Sequence, residues 1–308
     1  MIRWLRAVDA SPSRVQLGLS LAAMTALISG ISIFVNAQAT QEVGPPAVFT
    51  TLKNGVAALL LIGIATAARA PAPPARSLPG LLAIGVIGGS VPFILFFTGL
   101  AEATAPGAAV IHKTLFVWVA VLAVVFLKER LGALQIGALA VLLMSTFLIQ
   151  PPSGVSWGGG ETLIAVATGF WAVEVIIAKR VLADVASPVA AASRMSIGLV
   201  LLVAYLAFTG QLPAVFTLGA GQWAWVLGTG VLLTGYVATW YAALQRAPAS
   251  AVAAVLTLGL PITAALQLLA NGQVPAPTAV VGYGAGVLAV LALAWVALVR
   301  RRALATTA

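Results

Sequence analysis

The 308-residue chain contains no cysteine and one histidine, and only 7% of its residues are charged. Without cysteine there is no disulfide, no thiolate nucleophile and no sulfur-ligated metal or iron–sulfur centre. A single histidine and seven carboxylates also fall short of the nucleophile–base pair or metal cluster that an intramembrane enzyme needs. No GxxxxGK[ST] phosphate loop occurs, so nothing in the chain points to ATP as an energy source. The net charge of +9 comes from basic residues set singly, in pairs or as one terminal triplet, which is no stripe for nucleic acid. What the chain has instead is apolar residues: 61% of its length, with a mean hydropathy of +1.09. No globular core of this size could bury that fraction, and a bilayer can.

Ten apolar stretches are long enough to cross one, at about 20 residues each: 15–37, 46–68, 78–101, 104–126, 131–149, 158–178, 188–209, 222–244, 249–270 and 277–299. Thirteen of the sixteen Lys and Arg fall in alternate gaps between them: Arg3, Arg6 and Arg14, then Arg69 and Arg76, Lys128 and Arg130, Lys179 and Arg180, Arg246, and Arg300 to Arg302. The intervening gaps, near 38–45, 102–103, 150–157, 210–221 and 271–276, hold none. Basic residues stay on the cytoplasmic side, so the expectation is an all-α polytopic protein of the bacterial inner (plasma) membrane with both termini cytoplasmic. Residues 1–14 form a cytoplasmic segment, 150–157 a periplasmic linker and 300–308 a basic cytoplasmic tail. The start also imitates a signal peptide ending at Ala37-Gln38-Ala39, but its apolar run exceeds the usual h-region of about 7–15 residues.

The stretch from Leu100 (LAEATAPGAAVIHKTLFVW) resembles that from Leu244 (LQRAPASAVAAVLTLGLPI) at a spacing of 144. Pro46 and Pro188, Lys53 and Arg194, and Gly30 and Gly169 pair at offsets between 139 and 144. Two five-helix halves, 15–149 and 158–299, follow. Five is odd, so the second half enters the membrane inverted relative to the first, which is the common construction of secondary transporters.

The chain resembles the drug/metabolite transporter superfamily, in its ten-span branch with two EamA-type repeats, and within that the bacterial amino-acid exporters. The resemblance rests on the hairpins Ala103-Thr104-Ala105 and Ala247-Pro248-Ala249, on Phe126-Leu127-Lys128-Glu129-Arg130-Leu131-Gly132, and on Gly137 and Pro261. Gln273 departs from it, standing where the family has Glu in the second copy. The resemblance implies a basket of helices around a central cavity, with the fifth and tenth helices peripheral.

Three basic residues lie inside spans: Lys53, Lys113 and Arg194. A charge at that depth costs at least about 2.5–3.5 kcal/mol. Lys53 and Arg194 are near enough to a surface to be snorkelling anchors, with a gate contact as the second reading. His112 and Lys113 lie near mid-span and, as neighbours on a helix, point about 100° apart. If Ala108, Lys113 and Leu115 turn away from the fifth helix, one of the pair lines a cavity and the other bonds a neighbouring helix. His112 is read either as cavity-lining, where it suits a proton relay, or as a satisfied interhelical hydrogen bond. Glu174 either pairs locally with Lys179 or Arg180, or captures a substrate ammonium or a proton. Asn36, Gln38, Ser32 and Thr98 add neutral hydrogen-bonding groups. Phe93, Phe96 and Phe97 in the third span, Tyr236, Trp240 and Tyr241 in the eighth, and Trp118 and Trp171 supply candidates for an aromatic-walled pocket. The candidate substrate-binding set is His112, Lys113, Trp171, Glu174, Phe96, Tyr236, Trp240 and Asn36. Pro92 and Pro261 remove backbone hydrogen bonds and are expected to kink their helices, as hinges or as packing features. Gly282-Tyr283-Gly284-Ala285-Gly286 is either a dimer seam or an intramolecular contact, so the oligomer is a homodimer through the fifth or tenth helix, or a monomer.

The expected function is secondary export of amino acids, aromatic and other neutral ones, without cofactor, metal or nucleic-acid partner. Export of drugs, nucleosides or other small metabolites is the alternative.

Overall fold

The computed structural model describes residues 12–103, 110–149 and 157–305, and among these every regular element is helical. In chain order they are α1 (Pro12–Glu42), α2 (Pro46–Ala67), α3 (Leu78–Gly89), α4 (Val91–Glu102), α5 (Leu115–Leu127), α6 (Ala133–Ile149), α7 (Gly159–Val181), α8 (Ser187–Phe208), α9 (Ala220–Arg246), α10 (Ala249–Leu256), α11 (Gly259–Asn271) and α12 (Pro277–Ala305). Among the described residues, nine stretches are long and apolar enough to cross a membrane, and α6, at 17 residues, is a tenth and shorter apolar helix. The chain is a multi-pass membrane protein. Its apolar side chains therefore face outward as well as inward: Leu59, Val200, Leu269 and Trp295 are all well exposed, as lipid-facing residues must be.

Prolines open several helices, because φ is preset there and the missing N–H has no helical acceptor to lose. Pro46 begins α2, Pro188 lies in the first turn of α8 and Pro277 begins α12. The ends differ from the sequence expectation in two places. The first helix runs on through Asn36 and Gln38 to Glu42, and the last continues past Arg300 to Ala305, well into the expected tail. The linker lies almost wholly outside the described residues, as do Thr104 and Ala105 of the first hairpin.

Among the described residues, three spans are interrupted. The third breaks at Ser90, between α3 and α4. The fourth breaks at Thr114, whose N–H bonds the carbonyl of Ile111 at 3.1 Å, and the ninth at the matching Leu258, whose N–H bonds Val255 at 3.0 Å. Pro92 follows the first break by two residues and Pro261 the last by three, whereas no proline marks the break at Thr114. At the repeat offset of 144 the counterpart of Pro92 is Tyr236. Accordingly, α9 is continuous.

The packing is unchanged by exchanging the halves. α1 packs on α9 as α4 packs on α7, α1 on α10 and α11 as α7 on α5, and α2 on α9 as α8 on α3, while α2–α8, α5–α10 and α6–α12 are self-paired. Small residues permit the close approach: Ala190, Ala191, Ala251, Ala253 and Ala254 are buried. Gly282 and Gly286 face Ser145 and Ile149 of α6, whereas Gly284 meets open space. That glycine strip is used within the chain.

Candidate functional site

At Ser90 the backbone (φ −140°, ψ −67°) leaves the helical region. In a continuous helix the N–H of residue 92 would bond the carbonyl of residue 88, but proline has no N–H. The Gly88 carbonyl, deep in the membrane, thus needs other donors. It receives two: Arg194 Nη2 from α8 at 2.8 Å and Trp171 Nε1 from α7 at 3.2 Å. Residue 88 must be small for this to happen. A Cβ there would lie 2.4 Å from Glu174 Cγ and 3.1 Å from Arg194 Nε.

Glu174 is 2% exposed. The Tyr241 hydroxyl of α9 donates to its Oε1, and Arg194 Nε stands 3.5 Å from the same oxygen. At that distance the Arg194 contact is ionic rather than a hydrogen bond, and Nε remains a buried donor without a hydrogen-bond partner. Arg194 Nη1 approaches Met195 Sδ at 3.3 Å. The expected local partners of Glu174 are engaged elsewhere. Lys179 donates to the carbonyls of Leu244 and Ala247, and Arg180 to that of Phe126. Arg194 is correspondingly no surface anchor: it is 8% exposed and ion-paired.

Lys53 repeats the arrangement in weaker form. It too is buried rather than snorkelling, and its Nζ donates to Asn36 Oδ1 at 3.3 Å and lies 4.9 Å from the Phe49 ring centroid. Lys53 on α2 and Asn36 on α1 thus stand as Arg194 on α8 and Glu174 on α7, with an amide in place of the carboxylate. The halves share a cation position but not its counter-ion.

Beside the pair is a wall of rings. Trp171 contacts Phe93 (5.3 Å between centroids), Phe96 (5.6 Å) and His112 (5.0 Å), and Phe96 contacts His112 (5.2 Å). The crossings are edge-on or tilted, as aromatic quadrupoles prefer. On α9, Tyr236 and the buried Trp240 stack at 6.2 Å, and Trp240 adjoins Tyr241 in the chain. The structure therefore brings Trp171 and Glu174 to Gly88 and sets Phe96 and His112 against Trp171, with Tyr236 and Trp240 on the helix that supplies Tyr241. Lys113 is half-buried beside the interruption at Thr114, and Asn36 is held at Lys53. Trp118 points out of the bundle, 51% exposed, with Nε1 bonded to Thr114 Oγ1.

A cleft of about 200 Å³ opens between α2, α4 and α8, lined in part by Thr50, Phe93, Thr98, Tyr205 and Gln211. None of the eight candidate binding residues lines it. Phe93 is common to the cleft and the aromatic wall. The cleft lies toward the end of the bundle remote from the basic loops.

Three participants escaped the sequence reading: Arg194 as a partner, Gly88 as an acceptor and Tyr241 as a donor. The signal for Gly88 was present, since a proline inside an apolar span names the carbonyl four residues earlier as one that needs a donor.

The family model of the EamA-like transporter family matches residues 16–150 and 158–295. A protein of known crystal structure shares the fold, with a TM-score of 0.73 over 90% of this chain and 98% of its own at 17% identity. No curated protein matches the chain.

Proposed function

The chain belongs to the EamA-like transporter family, and from that premise we propose that it is a secondary exporter of amino acids and related metabolites. It works by alternating access across the inner membrane, with both termini cytoplasmic and two inverted repeats. The observation that carries the substrate class is the buried Glu174–Arg194 pair joined to an aromatic wall through the Gly88 carbonyl. A zwitterion carries the same two charges as the pair. Its ammonium can replace Arg194 at Glu174 and at the Gly88 carbonyl while its carboxylate takes the guanidinium, so no net charge is added to the membrane interior. Phe93, Phe96, His112 and Trp171 then receive an apolar or aromatic side chain. Inversion is supported by the odd number of spans per repeat, and the cytoplasmic placement of the termini by the confinement of basic residues to alternate loops.

Efflux of labelled Trp, Phe, Thr and Met from proteoliposomes tests the reading, with and without a pH gradient. Flux above empty liposomes is expected, with no competition from analogues lacking the carboxylate or the ammonium. Absence of such flux alongside movement of a nucleoside or drug would overturn the amino-acid assignment.

A further inference from the structure

At the end of the bundle that carries the basic loops, two half-buried charges, Glu129 and Lys179, are seated on helix termini. Lys128 ends α5 in the left-handed region (φ +58°), and the Glu129 N–H bonds back to the Ala123 carbonyl at 3.1 Å. This turn aims Glu129 at the start of α10, in the other repeat. Its carboxylate accepts from the Ala249 N–H at 2.7 Å, the Ser250 N–H at 3.3 Å and the Ser250 hydroxyl at 2.5 Å. An anion on the first N–H groups of a helix is the favourable sense of the dipole. At the neighbouring terminus Lys179 donates to the last carbonyls of α9, reaching Ala247 at 2.6 Å, again in the favourable sense.

Exchange of the halves maps each part of this arrangement onto the other end of the bundle. Glu129 maps onto Gln273, which is exposed, and Ala249 and Ser250 onto Ala105 and Pro106. Glutamine carries no charge, and proline offers neither an N–H nor a hydroxyl. The end of α1, which corresponds to the end of α7, bears Asn36, Gln38, Thr40 and Gln41 but no cation in place of Lys179. The cleft is found at that same unlatched end, among Thr98, Tyr205 and Gln211.

We propose that Glu129, seated on the first turn of α10, is a one-sided latch. It holds the basic end shut, while the positions that correspond to it at the opposite end, Gln273 and Pro106, bring no charge and no donor pair. The described bond there is the neutral one from Gln222 Nε2 to the Glu42 carbonyl at 2.9 Å, so that the empty protein rests open toward the side without basic residues. This rests on the alternating-access reading above. Lys179 reinforces the latch, and the exposed Arg76–Asp184 pair at 2.9 Å adds little, as surface pairs do.

The chain's lack of cysteine allows spin labels on Lys128→Cys and Arg246→Cys, one on each side of the latch. The unsubstituted latch should give one dominant short distance in liposomes. Glu129→Gln, isosteric but uncharged, should raise the population at longer distance by about tenfold or more, the ratio associated with losing charge-assisted bonds. Ser250→Ala leaves the carboxylate and both N–H groups in place and should shift the same population in the same direction by a smaller factor. Gln273→Glu with Pro106→Ser supplies the charge and donors that the other end lacks in sequence, and should shift a Glu129→Gln background further toward the long, inward-open distances. A distribution unchanged by both Glu129→Gln and Ser250→Ala overturns the latch, as does one evenly divided before any substitution. The distances are read without substrate, so this result stands apart from whether amino acids are carried.

Discussion

The Arg194 guanidinium bonds the Gly88 carbonyl at 2.8 Å because of a residue that donates to neither. Pro92 withholds the N–H that would otherwise fill that carbonyl, and the break at Ser90 turns the carbonyl toward α7 and α8. Pro92→Ala should therefore restore a backbone donor and let the third span close into one helix. Proline inside a helix costs about 3 kcal/mol, so thermal stability in detergent should hold or rise. Amino-acid efflux should fall by about tenfold, in line with one bond to a charged group. Unchanged efflux would show that the carbonyl takes no part in transport.

Gly88→Ala tests the same point by volume. The new methyl would lie 2.4 Å from Glu174 Cγ, whereas a methyl at Gly63 meets nothing. Overpacking of this kind costs about 1–3 kcal/mol. The melting temperature should fall clearly for Gly88→Ala and stay near that of the parent for Gly63→Ala. Equal melting temperatures would mean that Glu174 yields without cost.

The charges call for a cycle rather than single substitutions. Removing one member of a buried pair strands the other, at about 3–5 kcal/mol, while removing both together leaves no uncompensated charge. Glu174→Gln and Arg194→Gln should each destabilise strongly, and the double variant should lose much less than their sum. Among the described residues Lys53 is met by the neutral Asn36 and the Phe49 ring, so Lys53→Met should leave stability unchanged or raise it. Additive losses in the cycle, measured by denaturation in detergent, would contradict the pairing.

How much of this could be read from the sequence depended on the range of each interaction. The spans follow from apolar length alone, and the two-half organisation from a repeat visible at Leu100 and Leu244. Pro92 announced an interruption because its effect is local. The break at Thr114 carries no proline; there the threonine hydroxyl itself donates to the Ile111 carbonyl at 2.7 Å, a competition that threonine offers at many helical positions without a break. Of the two readings of Glu174, the local pair with Lys179 or Arg180 follows from proximity in the chain, yet the partners found come from α8 and α9, brought close only when α7 packs against both. Lys53 and Arg194 were placed as anchors by their depth from a helix end. Depth says nothing about which way a side chain turns, and both turn inward. Glu129 stood in the motif that carries the family resemblance, but its partners, the Ala249 and Ser250 N–H groups and the Ser250 hydroxyl, come from the other repeat and appear only when the first turn of α10 is set beside it.

The seam between the fifth and tenth spans gives a last test, because it separates packing within the chain from association between chains. Gly282 approaches α6 so closely that a Cβ there would lie 2.8 Å from the Ser145 carbonyl and from Ile149, and one at Gly286 would lie 3.1 Å from the Ser145 hydroxyl, whereas Gly284 has no neighbour. A helix pair in lipid is held by such approach rather than by a hydrophobic drive, so a branched side chain at Gly282 must push α12 off α6. Gly282→Ile should lower the melting temperature by several degrees, while Gly284→Ile, turned the other way, should leave it unchanged. If copies of the protein associate through the outer face of α12, the pattern in mass is reversed: Gly284→Ile alters the oligomer resolved by light scattering and Gly282→Ile does not. A loss of stability at Gly284 equal to that at Gly282 would show that both faces of the strip are packed.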